Sequence, residues 1–176
     1  MSAFRDAYDL VGWVKSIDLR LSFLERHETA AGAFVGARYY ASDGLTISNA
    51  VQNIVQFNNE TYDTHDAVTT GASWKFTAPV DGYYLVSANM KLSGCTGWAG
   101  TEVFYINLYV EGAWYSQLGM HPGVQTTSSI LNSINGADVC YLAAADYCDV
   151  RYYQNSGFDL TTSSTQANYI NIVKVG

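Results

Sequence analysis

Charge is scarce in this sequence. Asp, Glu, Lys and Arg make up 14% of it, against roughly 25% in an average globular domain. Lys and Arg together number 9 and form no cluster. Phosphate backbones and anionic lipid surfaces are held by grouped basic side chains. With a formal net charge of −7, no nucleic-acid partner is expected, nor any anionic membrane. No apolar run reaches the ~18 to 20 residues of a membrane span, so no membrane insertion is expected. Met1 to Leu10 contains Arg5, Asp6 and Asp9 and has no apolar signal core. The expectation is synthesis as a soluble cytoplasmic product. Release inside a particle would still carry such a product out of a cell.

Cysteine is limited to Cys95, Cys140 and Cys148. An odd count speaks against a fully paired disulfide framework. Buried or idle free thiols, made in a reducing compartment, are expected instead. Catalytic signatures are also missing. There is no Gly-x-Ser-x-Gly elbow, Gly-rich phosphate loop, His-Glu-x-x-His or Cys-x-x-Cys. His27, His65 and His121 stand isolated. No enzymatic activity and no cofactor are expected. Asp63, His65 and Asp66 offer two carboxylates and an imidazole, a candidate metal set. The competing reading is a polar loop whose carboxylates bind nearby backbone N–H groups. Asp146, Asp149 and Asp159 are oxygen donors for a hard cation if they converge. The triplet Asn59-Glu60-Thr61 matches a glycosylation acceptor and carries little weight without an export signal.

Hydrophobic residues are plentiful, at 48%, with Tyr alone occurring 14 times. A sizeable core is therefore available, and wholesale disorder is excluded. Residues 1–28 follow a helical period. Placing Ala7, Val14 and Leu21 at heptad position a puts Ala3, Leu10, Ile17 and Leu24 at d. Arg20 then falls at g and Glu25 at the next e, where side chains bridge neighbouring helices. Arg20 to Glu25 resembles the trimer-specifying pattern Arg-apolar-x-x-apolar-Glu. Val at a with Leu at d leans instead towards a dimer, and an amphipathic helix packed on its own domain is the remaining alternative. A stalk this short is marginal in water by itself, so a head must help hold the chains together. Residues 29–37 are small and Gly-rich and read as a linker.

From Arg38 the period drops to two. Phe104, Ile106, Leu108 and Val110 line one face of a strand, with Tyr105, Asn107 and Tyr109 on the other. Tyr84, Val86, Ala88, Met90 and Leu92 alternate in the same way, and a third such run covers 169–175. Further strands are expected over 38–41, 53–57, 73–77, 127–134, 138–143 and 148–153. Asp43-Gly44, Asp81-Gly82, Glu111-Gly112, Asn135-Gly136 and Ser156-Gly157 read as the turns between them. The expected domains are a helix at 1–28, a linker at 29–37 and a mainly β head at 38–176, an antiparallel sandwich or jelly roll.

Four segments of the head carry a resemblance. Phe76-Thr77-Ala78-Pro79-Val80-Asp81-Gly82-Tyr83-Tyr84 resembles the aromatic-x-x-Pro-x-x-Gly-x-Tyr signature of the complement-subcomponent-q globular head. Phe57 to Asp63 is similar to that family's Phe-Asn…Tyr-Asp segment. Ile106 to Gly112 resembles its strand and turn, and Gly136-Ala137-Asp138-Val139-Cys140-Tyr141-Leu142 its Gly-Asp-x-Val-x-Leu strand. The family's C-terminal Phe-Ser-Gly-Phe pattern is replaced here by 168–175. The resemblance implies a ten-strand jelly roll of the complement-q/tumour-necrosis-factor type, assembled as a homotrimer. Such interfaces favour aromatic side chains, and Tyr83, Tyr105, Tyr109 and Tyr169 are the candidates. Because related trimeric heads sometimes hold calcium, the resemblance also makes calcium, which needs roughly six to eight oxygens, the candidate cation for Asp146, Asp149 and Asp159. Trp98, in a Gly-punctuated loop, and Trp114, after the Glu111-Gly112 turn, are candidate receptor contacts. Trp13 and Trp74 complete the set of Trp available for stacking on sugars.

A missing export signal beside an extracellular-type head leads to one functional expectation. It is a non-enzymatic structural protein of a bacteriophage particle: a head fibre, capsid decoration protein or tail-fibre tip. Its N-terminal helix would dock on a capsid or tail protein, and its head would meet a host-surface glycan or protein. An exported cellular ligand- or glycan-binding protein is the alternative, and a glycan depolymerase a further one.

Overall fold

Long runs of alternating apolar residues dictate the architecture, because each must bury one face and leave the other outside. The computed structural model describes residues 34–97, 99–123, 130–163 and 165–176. The helix expected at 1–28 and residues 29–33 of the linker lie outside the described residues. The head begins at Val35. Its strands are β1 Gly36–Tyr40, β2 Thr46–Ile47, β3 Asn53–Ile54, β4 Asn59–Asp63, β5 Val68–Thr69, β6 Lys75–Thr77, β7 Gly82–Cys95, β8 Val103–Val110, β9 Ala113–Pro122, β10 Ile130–Leu142, β11 Tyr147–Gln154, β12 Leu160–Thr162 and β13 Tyr169–Lys174. The described residues include a short 3-10 turn at Thr165–Ala167 and no α-helix.

Two antiparallel sheets face one another. One runs β2-β12-β7-β13-β1-β4, with β10 pairing β7 along its other edge. The second runs β5-β6-β11-β8-β9, with β3 added on β11. Between them lie the inward residues that alternation selects. Tyr84, Val86, Met90 and Leu92 come from β7, and Phe104, Ile106 and Leu108 from β8. Val150 and Tyr152 of β11 and Ile170 and Ile172 of β13 join them. Each large aliphatic or aromatic side chain removed from water contributes about 1.5 to 3 kcal/mol. Between β8 and β9, Glu111 and Gly112 both take positive φ, 50° and 75°. That is the geometry of a two-residue hairpin turn whose twist matches the flanking strands.

The structure departs from the sequence expectation in three places. There are 13 strands among the described residues, not ten. Of the nine segments read from the sequence, residues 130–134 and 138–142 belong to one strand, β10, and the additions are β2, β4, β5, β9 and β12. β2, β5 and β12 are too short for a period to show, although Ile47 and Leu160 reach the core, β4 buries none of its residues and β9 buries only Leu118. The boundary at Arg38 also falls inside a strand: Gly36 and Ala37 already pair with Val173 and Ile172. Finally, Asn135-Gly136 is not a turn. The chain runs straight through it, pairing with Asn89 and Ala88 of β7. Gly136 is there for closeness, since a Cβ on it would stand 1.8 Å from the Leu118 carbonyl oxygen of β9. A Cβ on Gly119 would likewise stand 2.7 Å from the Asn135 oxygen. Two glycines thus let the edges of the opposing sheets meet.

Candidate assembly interface

With Tyr84 and Val86 turned inward, Tyr83 and Leu85 must point out of the sandwich. Register decides what stands beside them. Tyr83 pairs with Tyr141 of β10, while Leu85 lies between Val139 of β10 and Val173 of β13. Five uncharged side chains from three strands thereby form one continuous patch. Tyr83 is 55% exposed, Tyr141 52%, Val139 41% and Leu85 37%. The two tyrosine rings meet edge to face, 5.4 Å between centroids and 67° between planes. Val175, also exposed, extends the patch just past β13, held by its N–H donating to the Tyr83 carbonyl at 2.8 Å. Scattered exposed apolar residues are normal, but a contiguous patch marks an interaction surface.

Further along the same sheet the outer face turns polar. Arg38 donates to the Asn171 side-chain oxygen at 2.5 Å, and Asn171 reaches Ser87 at 3.4 Å. Arg38 also lies over the Tyr169 ring, 4.5 Å from its centroid. Tyr169, predicted as an interface residue, therefore shares the face of Tyr83 but already carries a cation from its own chain.

Beside the patch, the β9 edge rises against β10. The Tyr115 hydroxyl donates to the Val139 carbonyl at 3.2 Å, bracing this corner. Met120 and Trp114 of β9 are 55% and 60% exposed. Trp114 stands on β9 next to the β8–β9 turn.

Tyr105 and Tyr109 lie on the opposite face of the sandwich. Tyr105 stacks on Tyr153 at 4.9 Å between centroids, and burial pushes its phenol pKa up. Tyr109 is covered by the Arg151 guanidinium at 4.0 Å. Arg151 in turn grips Asp149 with two hydrogen bonds of 2.7 and 3.0 Å. The four predicted tyrosines are thus divided, Tyr83 and Tyr169 on one face and Tyr105 and Tyr109 on the other. Leu85, Val139, Tyr141 and Val173 were missed. Taking Gly136 for a turn hid the outward alternation of Ala137, Val139 and Tyr141.

The remaining candidates separate as well. Leu10, Val14, Ile17, Arg20, Leu21, Leu24, Glu25 and Trp98 lie outside the described residues. Trp74 is no sugar platform. It is fully buried, donates from its indole nitrogen to the Phe57 carbonyl at 2.8 Å, and meets the Phe57 ring edge-on at 5.4 Å. Asp63 accepts from the Val68 and His65 backbone N–H groups and from the Tyr39 hydroxyl, at 3.0, 3.2 and 3.2 Å. The His65 ring bonds to Thr64 at 2.8 Å. Asp146 and Asp159 bind the backbone N–H groups of Ala143 and Asn49, and Asp149 binds Arg151. These carboxylates are spent on separate local bonds. No group of three or more His, Cys, Asp or Glu is placed to hold a metal among the described residues.

Strand order, two facing sheets and the long central β7 decide the architecture. The fold is a jelly roll of the tumour-necrosis-factor and complement-1q kind. The chain is similar to the Eiger TNF of S. frugiperda, at 16% identity and a TM-score of 0.59, over 81% of this chain and 93% of that one. It is also similar to the globular domain of zebrafish complement 1qA protein, at 13% identity and a TM-score of 0.55, over 81% of this chain and 98% of that one. At such identities the likeness is one of fold. No family profile and no curated protein matches the chain.

Proposed function

We propose that this chain is a non-enzymatic structural and binding module that assembles as a homotrimer on a bacteriophage particle, as a head fibre, decoration protein or tail-fibre tip. The observation that carries self-assembly is the apolar patch of Tyr83, Leu85, Val139, Tyr141 and Val173 on an otherwise polar sheet face. Covering a half-exposed side chain of this kind contributes about 1 kcal/mol. Three copies sharing one axis cover three patches, and no like charges are brought together within them. The jelly-roll likeness supports the same reading.

In this reading residues 1–28 form the stalk. Leu10, Val14, Ile17, Leu21 and Leu24 face its axis, Arg20 and Glu25 bridge adjacent chains, and the N-terminus docks on a capsid or tail protein. Trp114, exposed at the β8–β9 tip, is the candidate contact for a host-surface glycan or protein. Three linked contacts of millimolar strength, each worth about 4 kcal/mol, gain avidity of 10²-fold or more where the receptor spacing allows. Two measurements test the reading. Light scattering should give about three times the 19.3 kDa chain mass, and a stable monomer at micromolar concentration overturns the assembly. Immunogold microscopy of purified particles should find the protein on them, and its absence from every particle band overturns the virion role.

A further inference from the structure

The odd cysteine count conceals a pair. Cys140 lies on β10 in the first sheet, and Cys148 on β11 in the second. Both are wholly buried. Inward projection follows from their neighbours: Val139 and Tyr141 are exposed either side of Cys140, while Cys148 shares its side of β11 with buried Val150 and Tyr152. The chain crosses between the sheets in the turn that joins the two strands. Asp146 pins that turn, donating from its N–H to the Ala143 carbonyl at 3.0 Å and accepting the Ala143 N–H on its carboxylate at 3.0 Å. The cross-strand partners of the two cysteines also meet. Tyr84 pairs with Cys140, Phe76 pairs with Cys148, and the Tyr84 and Phe76 rings lie 5.5 Å apart. Both thiols therefore face one layer of the interior, where the Cys140 thiol donates to the Tyr84 carbonyl at 3.9 Å and each thiol shifts the other's pKa. Cys95 sits at the far end of β7, where its neighbour across the ladder is Ile130.

We propose that Cys140 and Cys148 are a built cross-link site, forming a disulfide that ties the two sheets together when the chain folds under oxidising conditions. Cys95 stays a thiol. Two inward thiols facing one interior layer, on strands joined by a short fixed turn, are placed to bridge. The oxidant is a small-molecule disulfide. A thiolate of one cysteine attacks it, releasing one thiol and leaving a mixed disulfide. The second cysteine's thiolate then attacks the protein-bound sulfur, expels the second small thiol and closes the bond. Two protein thiols are oxidised and one external disulfide is reduced. Burial shields the thiols in the finished fold, and the neighbouring Cys140 thiol together with burial pushes the Cys148 thiol pKa up, so the reaction belongs to folding or to transient opening. A closed bond is then shielded from reductant in the same way.

The test counts thiols. The full chain is unfolded in reductant, refolded with oxidised and reduced glutathione, trapped with an alkylating agent in denaturant, and weighed. The expected product carries one alkylated thiol, mapped to Cys95, and a peptide joining Cys140 to Cys148. Cys95→Ser should retain the link, and Cys140→Ala or Cys148→Ala should abolish it. As a check that avoids refolding, the folded chain is warmed with diamide near its midpoint of unfolding. It should lose two titratable thiols and gain thermal stability that dithiothreitol reverses in denaturant. Three alkylated thiols in both experiments, stable glutathione adducts, or a bond involving Cys95 would overturn the proposal.

Discussion

Tyr83 and Tyr141 stand opposite each other on β7 and β10, rings edge to face at 5.4 Å, and more than half of each is exposed. An aromatic pair of this geometry is worth about 0.5 to 1.5 kcal/mol beyond its buried area. Here much of the ring surface is still in water, and Leu85 and Val139 widen the exposed area. The pair is therefore the centre of the proposed contact between copies.

Placing charge at that centre should separate the copies. Leu85→Asp combined with Tyr141→Asp is expected to reduce the light-scattering mass from three chains to one. Circular dichroism should remain that of a β-sandwich, because both side chains point outward. Leu21→Asp with Leu24→Asp, in the proposed stalk, should leave the head associated. Folded monomers from the stalk variant, or trimers from the patch variant, would move the main interface elsewhere.

Gly136 is expected to tolerate no side chain. In Gly136→Ala the new Cβ meets a backbone oxygen of another strand, which cannot rotate away. The cost should be about 3 kcal/mol, read from the urea midpoint. Gly44→Ala offers a contrast. No atom lies within 4 Å of its added Cβ, and its φ is +73°. Conformational strain alone should cost about 1 kcal/mol there.

The Asp149–Arg151 pair should show strong coupling. Asp149 is 2% exposed and its carboxylate is held by the guanidinium. Arg151→Leu leaves a buried charge unpaired and should destabilise by about 3 kcal/mol. Replacing both residues with Leu should recover most of that loss. A double-mutant cycle measured by chemical denaturation checks it, and simple additivity would refute the coupling.

Alkali should unfold the head through its tyrosines. Burial raises the phenol pKa of Tyr39, Tyr84, Tyr105 and Tyr152. At Tyr39 the carboxylates of Asp63 and Glu60 raise it further. A raised folded pKa means that the unfolded chain loses the proton first. Their stabilising contribution is thus whole below the unfolded value of about 10 and declines as pH rises past it. Tyr152→Phe removes one linked proton and should move the alkaline midpoint upward, followed by tyrosinate absorbance together with circular dichroism.

Alternation along β7, β8 and β13 made the sandwich and much of its core legible in the sequence, because a strand with one buried face must repeat every second residue. Glu111-Gly112 was legible for a similarly local reason, since paired positive φ favours Gly at a hairpin turn. Gly136 was not. A glycine that opens a turn and a glycine that admits a neighbouring carbonyl are identical in sequence, and the Leu118 oxygen belongs to a different strand. The outward patch was hidden for the same reason. Local pattern tells which side of a strand a residue takes, so Tyr83 was found. Register between strands far apart in the chain sets Tyr141 beside it and Val139 and Val173 beside Leu85, and brings Cys140 to Cys148 across the two sheets.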